Sequence, residues 1–242
     1  MENKWNKKNT LRQIFYVVLY FIGLLAVCMC GAIHPMLFVL YQVTAGILLT
    51  VILVKGFDQI RAPGVALSFG AGILLAFLLI GDFTAWHAVP ILVISVLTEV
   101  VGLIMGYDSW KSIVTRSTIM SFASFGYYGQ IWLNRAYTYE CAIEEMPTGY
   151  ADTLMACSPV WTFPVVVILG VVASVLIANL TAKLFKLEKK GRIPKIEFDT
   201  SNLLRYNTDR HLFCEETADE ERQQAAGGTA QGTDRHSIEA LC

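Results

Sequence analysis

Long stretches of this chain carry no charge. Residues 13–54 contain no Asp, Glu, Lys or Arg, and residues 62–81, 117–134 and 153–182 are equally bare. Only 16% of the 242 residues are charged against 55% hydrophobic, and the mean hydropathy is +0.50, which excludes an ordinary water-soluble domain. The composition is that of an integral membrane protein. Ligand spacing for a metal is also missing. The six cysteines, at 28, 30, 141, 157, 214 and 242, form neither a metal-binding pattern nor a disulfide framework, and Cys28 and Cys30 lie inside an apolar run, where they act as small hydrophobes.

Other absences narrow the function. There is no His-Glu-x-x-His, no pair of membrane aspartates and no phosphate-cradling glycine loop. "SFGAG" and "SFASFG" are not the Gly-x-Ser-Gly of an intramembrane serine protease, and Glu144-Glu145 lacks the arginine that a membrane-protease glutamate pair would have at helical spacing. No basic, aromatic-interleaved surface points to nucleic acid. The expectation is a protein with no metal, no cofactor and no nucleic-acid partner. Lys4, Lys7, Lys8 and Arg12 ahead of an apolar run imitate a secretory signal, but the run is too long, and Val27 before Cys28 spoils a lipoprotein cleavage site. The segment reads as a retained helix.

A spanning helix needs about 20 mostly apolar residues to cross about 30 Å of hydrocarbon. Six segments meet this: Arg12–Ile33, Pro35–Val54, Gly64–Ile80, Trp86–Gly106, Ser112–Leu133 and Ser158–Lys183. The third is short and glycine-rich, as suits a tilted or closely packed helix. The fold class is therefore all-α, a six-helix membrane bundle over residues 12–192, between a basic N-terminus (1–11) and a polar, low-complexity tail (193–242) expected to be disordered. Positive charge collects before the first segment, at Lys55 and Arg61, at Lys111, and from Lys183 to Arg192. The alternate connectors hold only Arg135, against Glu140, Glu144, Glu145 and Asp152. The bias predicts both termini in the cytoplasm.

Polar groups gather at the outer ends. His34, Asp82, Trp86 and His87 sit in the first two outer connectors, and Tyr127, Gln130 and Asn134 fall at i, i+3 and i+7 on the fifth segment. An interfacial aromatic belt accounts for the aromatics. It leaves Gln130 and Asn134 needing polar partners, so a small-ligand face is the competing account. In "TGYADTLMACSPVW", Ser158-Pro159 has the form of an N-cap with proline at the first helical position. Ahead of it Tyr150, Asp152 and Thr153 are held near the outer end, where the carboxylate would meet a ligand, Arg135 or a histidine. Within the membrane Glu99 and Arg116 stand out, and their inner-leaflet depth favours a structural ion pair between adjacent helices over a substrate site.

The stretch "YADTLMACSPVW" (Tyr150–Trp161), followed by one apolar helix and "KLFKLEKKGRI", resembles the terminal motif of the Trep_Strep, or MptD-type, substrate-binding components of energy-coupling factor (ECF) transporters. "GDFTAWHAVPILVISVLTEVVGLIMG" is similar to that family's connector and fourth helix. The resemblance implies a six-helix S component that binds a vitamin-like micronutrient from outside. It would dock on a membrane T subunit driven by two cytoplasmic ATPases, and would itself hydrolyse nothing. It carries ligand contact over to His34, Trp86, His87, Tyr127, Gln130, Asn134, Tyr150, Asp152 and Thr153, of which Tyr150, Asp152 and Thr153 belong to the motif proper. Where such proteins present small residues spaced by four on the first helix, this chain is bulky until Gly23, with Ala26 and Cys30 as the nearest small pair. The rival readings are a polytopic membrane enzyme using Glu99, His87, Glu144 or Glu145, which would act without an ATPase partner, and a sensory or scaffold protein signalling through its tail.

Overall fold

The computed structural model describes residues 5–187 apart from Asp82. Asp82 and the polar tail therefore lie outside the described residues. The described residues belong to one compact unit. All regular structure among them is helical: α1 (Lys7–Ile33), α2 (Pro35–Val39), α3 (Tyr41–Gln59), α4 (Val65–Ile80), α5 (Ala85–Met105), α6 (Trp110–Met120), α7 (Phe125–Tyr128), α8 (Gln130–Leu133), α9 (Arg135–Glu145), α10 (Tyr150–Cys157) and α11 (Thr162–Leu184).

Helix α1 starts where the Asn6 side chain accepts the Asn9 N–H at 2.8 Å. It buries a stripe of Gln13, Tyr16, Tyr20, Leu24 and Val27 at three- and four-residue spacing. Its opposite face exposes Leu11, Phe15, Val18, Ile22 and Met29. A helix apolar on all sides fits a bilayer, where the outward side chains meet lipid. Helix α3 is the central element, packed against α1, α6 and α11, and it buries Tyr41, Ala45, Leu49, Leu53 and Phe57 on one row. Polar side chains tie this core together. The Tyr128 hydroxyl donates to Gln42 Oε1 at 2.6 Å, and the Ser121 and Ser174 hydroxyls lie 3.1 Å apart.

Among the described residues four helices, not six, are long and apolar enough to cross a membrane: α1, α3, α5 and α11. The 16-residue α4 reaches about 24 Å at 1.5 Å per residue, short of the hydrocarbon thickness. Its glycines do pack closely, since a Cβ on Gly70 would come within 2.1 Å of Ser95 Oγ and one on Gly72 within 2.1 Å of Val17 Cγ1.

The fifth expected segment is not one helix. After Met120 the ladder changes from four-residue to three-residue bonds, with Phe122 N–H donating to Ile119 O, Ala123 N–H to Met120 O and Phe125 N–H to Phe122 O. The cause is local: Ser121 turns its hydroxyl back to Thr118 O at 2.7 Å, and serines and glycines recur through "SFASFGYYG". Gly126 is required there, because a Cβ would fall 1.7 Å from the Trp86 carbonyl oxygen. The long outer loop is likewise not a loop, since α9 and α10 occupy most of it. Ser158 does not cap α11 as its sequence context suggests. Its hydroxyl donates back to Leu154 O at 2.7 Å, and α11 begins at Thr162.

Candidate functional site

The end of α1, the end of α2, the start of α5, and α7 to α10 meet at one end of the bundle and line a half-open cavity of about 190 Å³. Five residues singled out in the sequence line it: Trp86 and His87 from α5, Tyr127 and Gln130 from the broken segment, and Tyr150 from α10. They arrive there for separate reasons. Thr84, in extended backbone, starts α5 and presents Trp86 and His87 on its first turn. The break after Met120 re-aims Tyr127 and Gln130, and Gly149, at φ 84°, starts the helix that carries Tyr150.

The wall is aromatic and layered. The His87 ring stacks on Phe77 with centroids 5.2 Å apart and lies 5.9 Å from Tyr127, which in turn meets Phe38 edge-on at 5.5 Å. Gln130 is 8% exposed. Its Nε2 donates to Gly126 O at 2.9 Å, and because that carbonyl can only accept, Oε1 is fixed as the free end of the amide and has no partner. The Tyr150 hydroxyl donates to Gly31 O at 2.6 Å, and burial holds its pKa above the usual phenol value.

The other four expected contacts lie off the cavity lining. His34 is a helix cap, with Nδ1 accepting the Met36 N–H at 3.1 Å. Asn134 joins α8 to α9, its N–H bonded to Gln130 O and its carbonyl accepting the Thr138 hydroxyl. The spacing of Tyr127, Gln130 and Asn134 thus does not form one helical face. Asp152 accepts the Tyr139 hydroxyl at 2.9 Å on the exposed side, and this bond raises the Tyr139 pKa. Thr153 turns its hydroxyl to Gly149 O at 2.8 Å. Arg135 does not pair with Asp152; it donates to the Ser158 carbonyl and, at 3.2 Å, to Met155 O, satisfying carbonyls at the end of α10.

Sequence reasoning missed the contribution of α9, whose residues read as a loop. Tyr137, Cys141 and Glu145, at i, i+4 and i+8, bring one helix row to the cavity. That spacing was the available signal. Glu145 is the one carboxylate in the lining, which contains no Lys or Arg. Among the described residues no cluster of three metal-ligating side chains occurs.

At the opposite end, Glu99 Oε2 lies 3.9 Å from Arg116 Nη2. Glu99 also accepts the Gly64 N–H at 2.7 Å, the Ala66 N–H at 3.2 Å and the Tyr107 hydroxyl at 2.6 Å, so the carboxylate caps the N-terminus of α4 from another helix. Arg116, fully buried, lies over the Phe57 ring at 4.2 Å and the Tyr107 ring at 4.8 Å. None of the three Arg116 guanidinium nitrogens has a hydrogen-bond partner among the described residues, so the guanidinium is held by the two rings and by the charge of Glu99.

A helical bundle whose longest helices are apolar on their outer faces, with a cavity lined partly by aromatic side chains at one end, defines an integral membrane protein. The family model described as a hypothetical bacterial integral membrane protein (Trep_Strep) matches residues 9–189, and the chain belongs to that family. No curated protein and no solved structure matches it.

Proposed function

We propose that this protein is the substrate-binding S component of an ECF-type importer, capturing a small micronutrient in the cavity at the bundle's outward end. The observation that carries the reading is the convergence of Trp86, His87, Tyr127, Gln130 and Tyr150, from three separate stretches of sequence, on one cavity of about 190 Å³. A mostly apolar pocket with several aromatic side chains and a few polar groups is the usual form of a small-molecule site. Charge placement supports the orientation. Lys7, Lys8, Arg12, Lys55, Arg61, Lys111 and Lys183 all belong to the end away from the cavity, which faces the cytoplasm in this reading.

In this reading the chain crosses six times, with α4 as a short crossing and α6 to α8 as a broken one, and both termini are inside. Irregular backbone at membrane depth is tolerated where it is buried in protein or lines a cavity, which is the setting of Phe122–Phe125. The chain carries out no chemistry of its own. A T subunit and two cytoplasmic ATPases, on separate chains, supply the drive. The test is to purify the tagged protein from detergent-solubilised native membranes and identify co-purifying chains and small molecules by mass spectrometry. A membrane T-type subunit with two ATPases is the expected result; recovery without ATPases from membranes in which they are shown to be present overturns the reading.

A further inference from the structure

The rings of the lining restrict the shape of what enters the cavity. Six of its side chains carry one, namely Phe38, Trp86, His87, Tyr127, Tyr137 and Tyr150, brought together by five helices. Trp86 and Tyr137 stand half-exposed at the mouth, and the other four are more buried. The inner rings hold one another in place. His87 has one face against Phe77, while Tyr127 meets Phe38 edge-on and lies tilted 5.7 Å from Tyr41. Phe38 is in turn seated on Gly31, where an added Cβ would fall 2.7 Å from its Cδ2. A flat ring brought against such a wall gains edge-to-face or offset contacts beyond the area it buries, and a saturated ring of the same size does not. The polar groups add a second restriction. Tyr150 and Thr138 donate their hydroxyl protons to Gly31 O and Asn134 O, and Gln130 Nε2 donates to Gly126 O while its Oε1 is shielded from the cavity. A polyol moved into this wall would give up its hydrogen bonds to water and recover few of them. A dry engineered cavity of about 150 Å³ takes one benzene, so about 190 Å³ is room for one ring with a short substituent.

Resting on the ligand-binding reading above, we infer that the cavity selects a single flat, unsaturated ring, held by contact with the aromatic wall and carrying its polar substituent towards the mouth. Saturated rings fill the same space without the ring–ring contacts and bind less tightly. Polyols of the same size are rejected, because the inner wall has its donors committed.

The test is calorimetric titration of the full chain in nanodiscs, with empty nanodiscs as the blank and three uncharged probes of similar size: benzamide, cyclohexanecarboxamide and myo-inositol. The two amides differ only in the ring. Benzamide is expected to bind about fivefold more tightly than cyclohexanecarboxamide, although the saturated ring is the more apolar. No saturable binding of myo-inositol is expected where benzamide saturates. Trp86→Leu and Tyr127→Leu are each expected to narrow the ratio between the two amides. A merely structural defect would weaken both amides and leave their ratio in place. Because Trp86 is half-exposed, Trp86→Leu tests the preference even where Tyr127→Leu fails to fold. Cyclohexanecarboxamide bound as tightly as benzamide, or a ratio unchanged in Trp86→Leu, overturns the ligand class and leaves the S-component reading standing. Saturable binding of myo-inositol alongside benzamide, or of none of the three, also overturns the class. The transporter reading is judged separately by which subunits co-purify.

Discussion

The Tyr150 hydroxyl and the Gly31 carbonyl oxygen, 2.6 Å apart, join the first turn of α10 to the last turn of α1. Gly31 O is one of the terminal carbonyls that α1 cannot satisfy internally. The bond therefore meets a helix-end acceptor and closes one side of the cavity in the same step. Tyr150→Phe keeps the ring and removes the donor. It is expected to cost about 1 kcal/mol of stability, read as a lower melting temperature in detergent, and to speed ligand release. An unchanged melt with unchanged release would mean that the contact contributes to neither.

Gly126→Ala is the most severe single substitution expected at the site. A Cβ there would lie 1.7 Å from Trp86 O, and backbone at the start of α5 cannot yield as a flexible side chain would. The α7 turn must move away from Trp86 and His87. Loss of ligand binding is expected, with a melting temperature reduced by the equivalent of about 2 kcal/mol or more. Gly149→Ala is the useful contrast. Nothing lies within 4 Å of its added Cβ, yet φ is +84°, so the strain is confined to the backbone at about 1–2 kcal/mol and the cavity wall stays in place. Calorimetric binding alongside thermal melts separates the two effects.

Both glycines were visible in the sequence, but their reasons were not. What the sequence made legible followed from composition and period: a membrane protein, all-helical, with α1, α3, α5 and α11 near their expected places. It failed where local bonding overrode apolar continuity. The run 117–133 is uncharged throughout, and hydropathy has no means of registering that Ser121 bonds back to Thr118 O and that the ladder changes register after it. For the site, aromatic and amide residues near segment ends were readable because lipid gives them no partner. Asp152 lies off the lining, and its partner is the exposed Tyr139, thirteen residues away, a contact that no helical period signals. The row Tyr137, Cys141, Glu145 was hidden by its low hydropathy, since an amphipathic helix lying at the bundle end has no reason to be apolar throughout.

Glu99 and Arg116 give a prediction about non-additivity. Removing the carboxylate leaves a fully buried guanidinium over two aromatic rings and also uncaps α4. Glu99→Gln is expected to destabilise by about 3 kcal/mol. Arg116→Met leaves Glu99 its three remaining donors, from Gly64, Ala66 and Tyr107, and costs less. The double substitution is expected to be more stable than the sum of the single effects, because no unpaired charge remains buried. Thermal melts of the four proteins complete the cycle; strict additivity would show that the 3.9 Å separation carries no coupling.

Tyr107 supplies the pH dependence. Its phenol pKa is pushed up to about 12 from 10.0, first by burial and then by the hydrogen bond to Glu99 and that carboxylate's charge, with Arg116 opposing. A folded-state pKa above the unfolded value means that the folded protein holds the proton more tightly. The stabilisation is therefore complete below about pH 10 and is lost as pH rises towards 12. Tyr107→Phe removes the titrating group together with its bond to Glu99. The variant is expected to melt lower than the parent at neutral pH and to fall less steeply between pH 10 and 12, so that the two curves converge. Parallel curves across that window would show that the Tyr107 proton is not linked to folding.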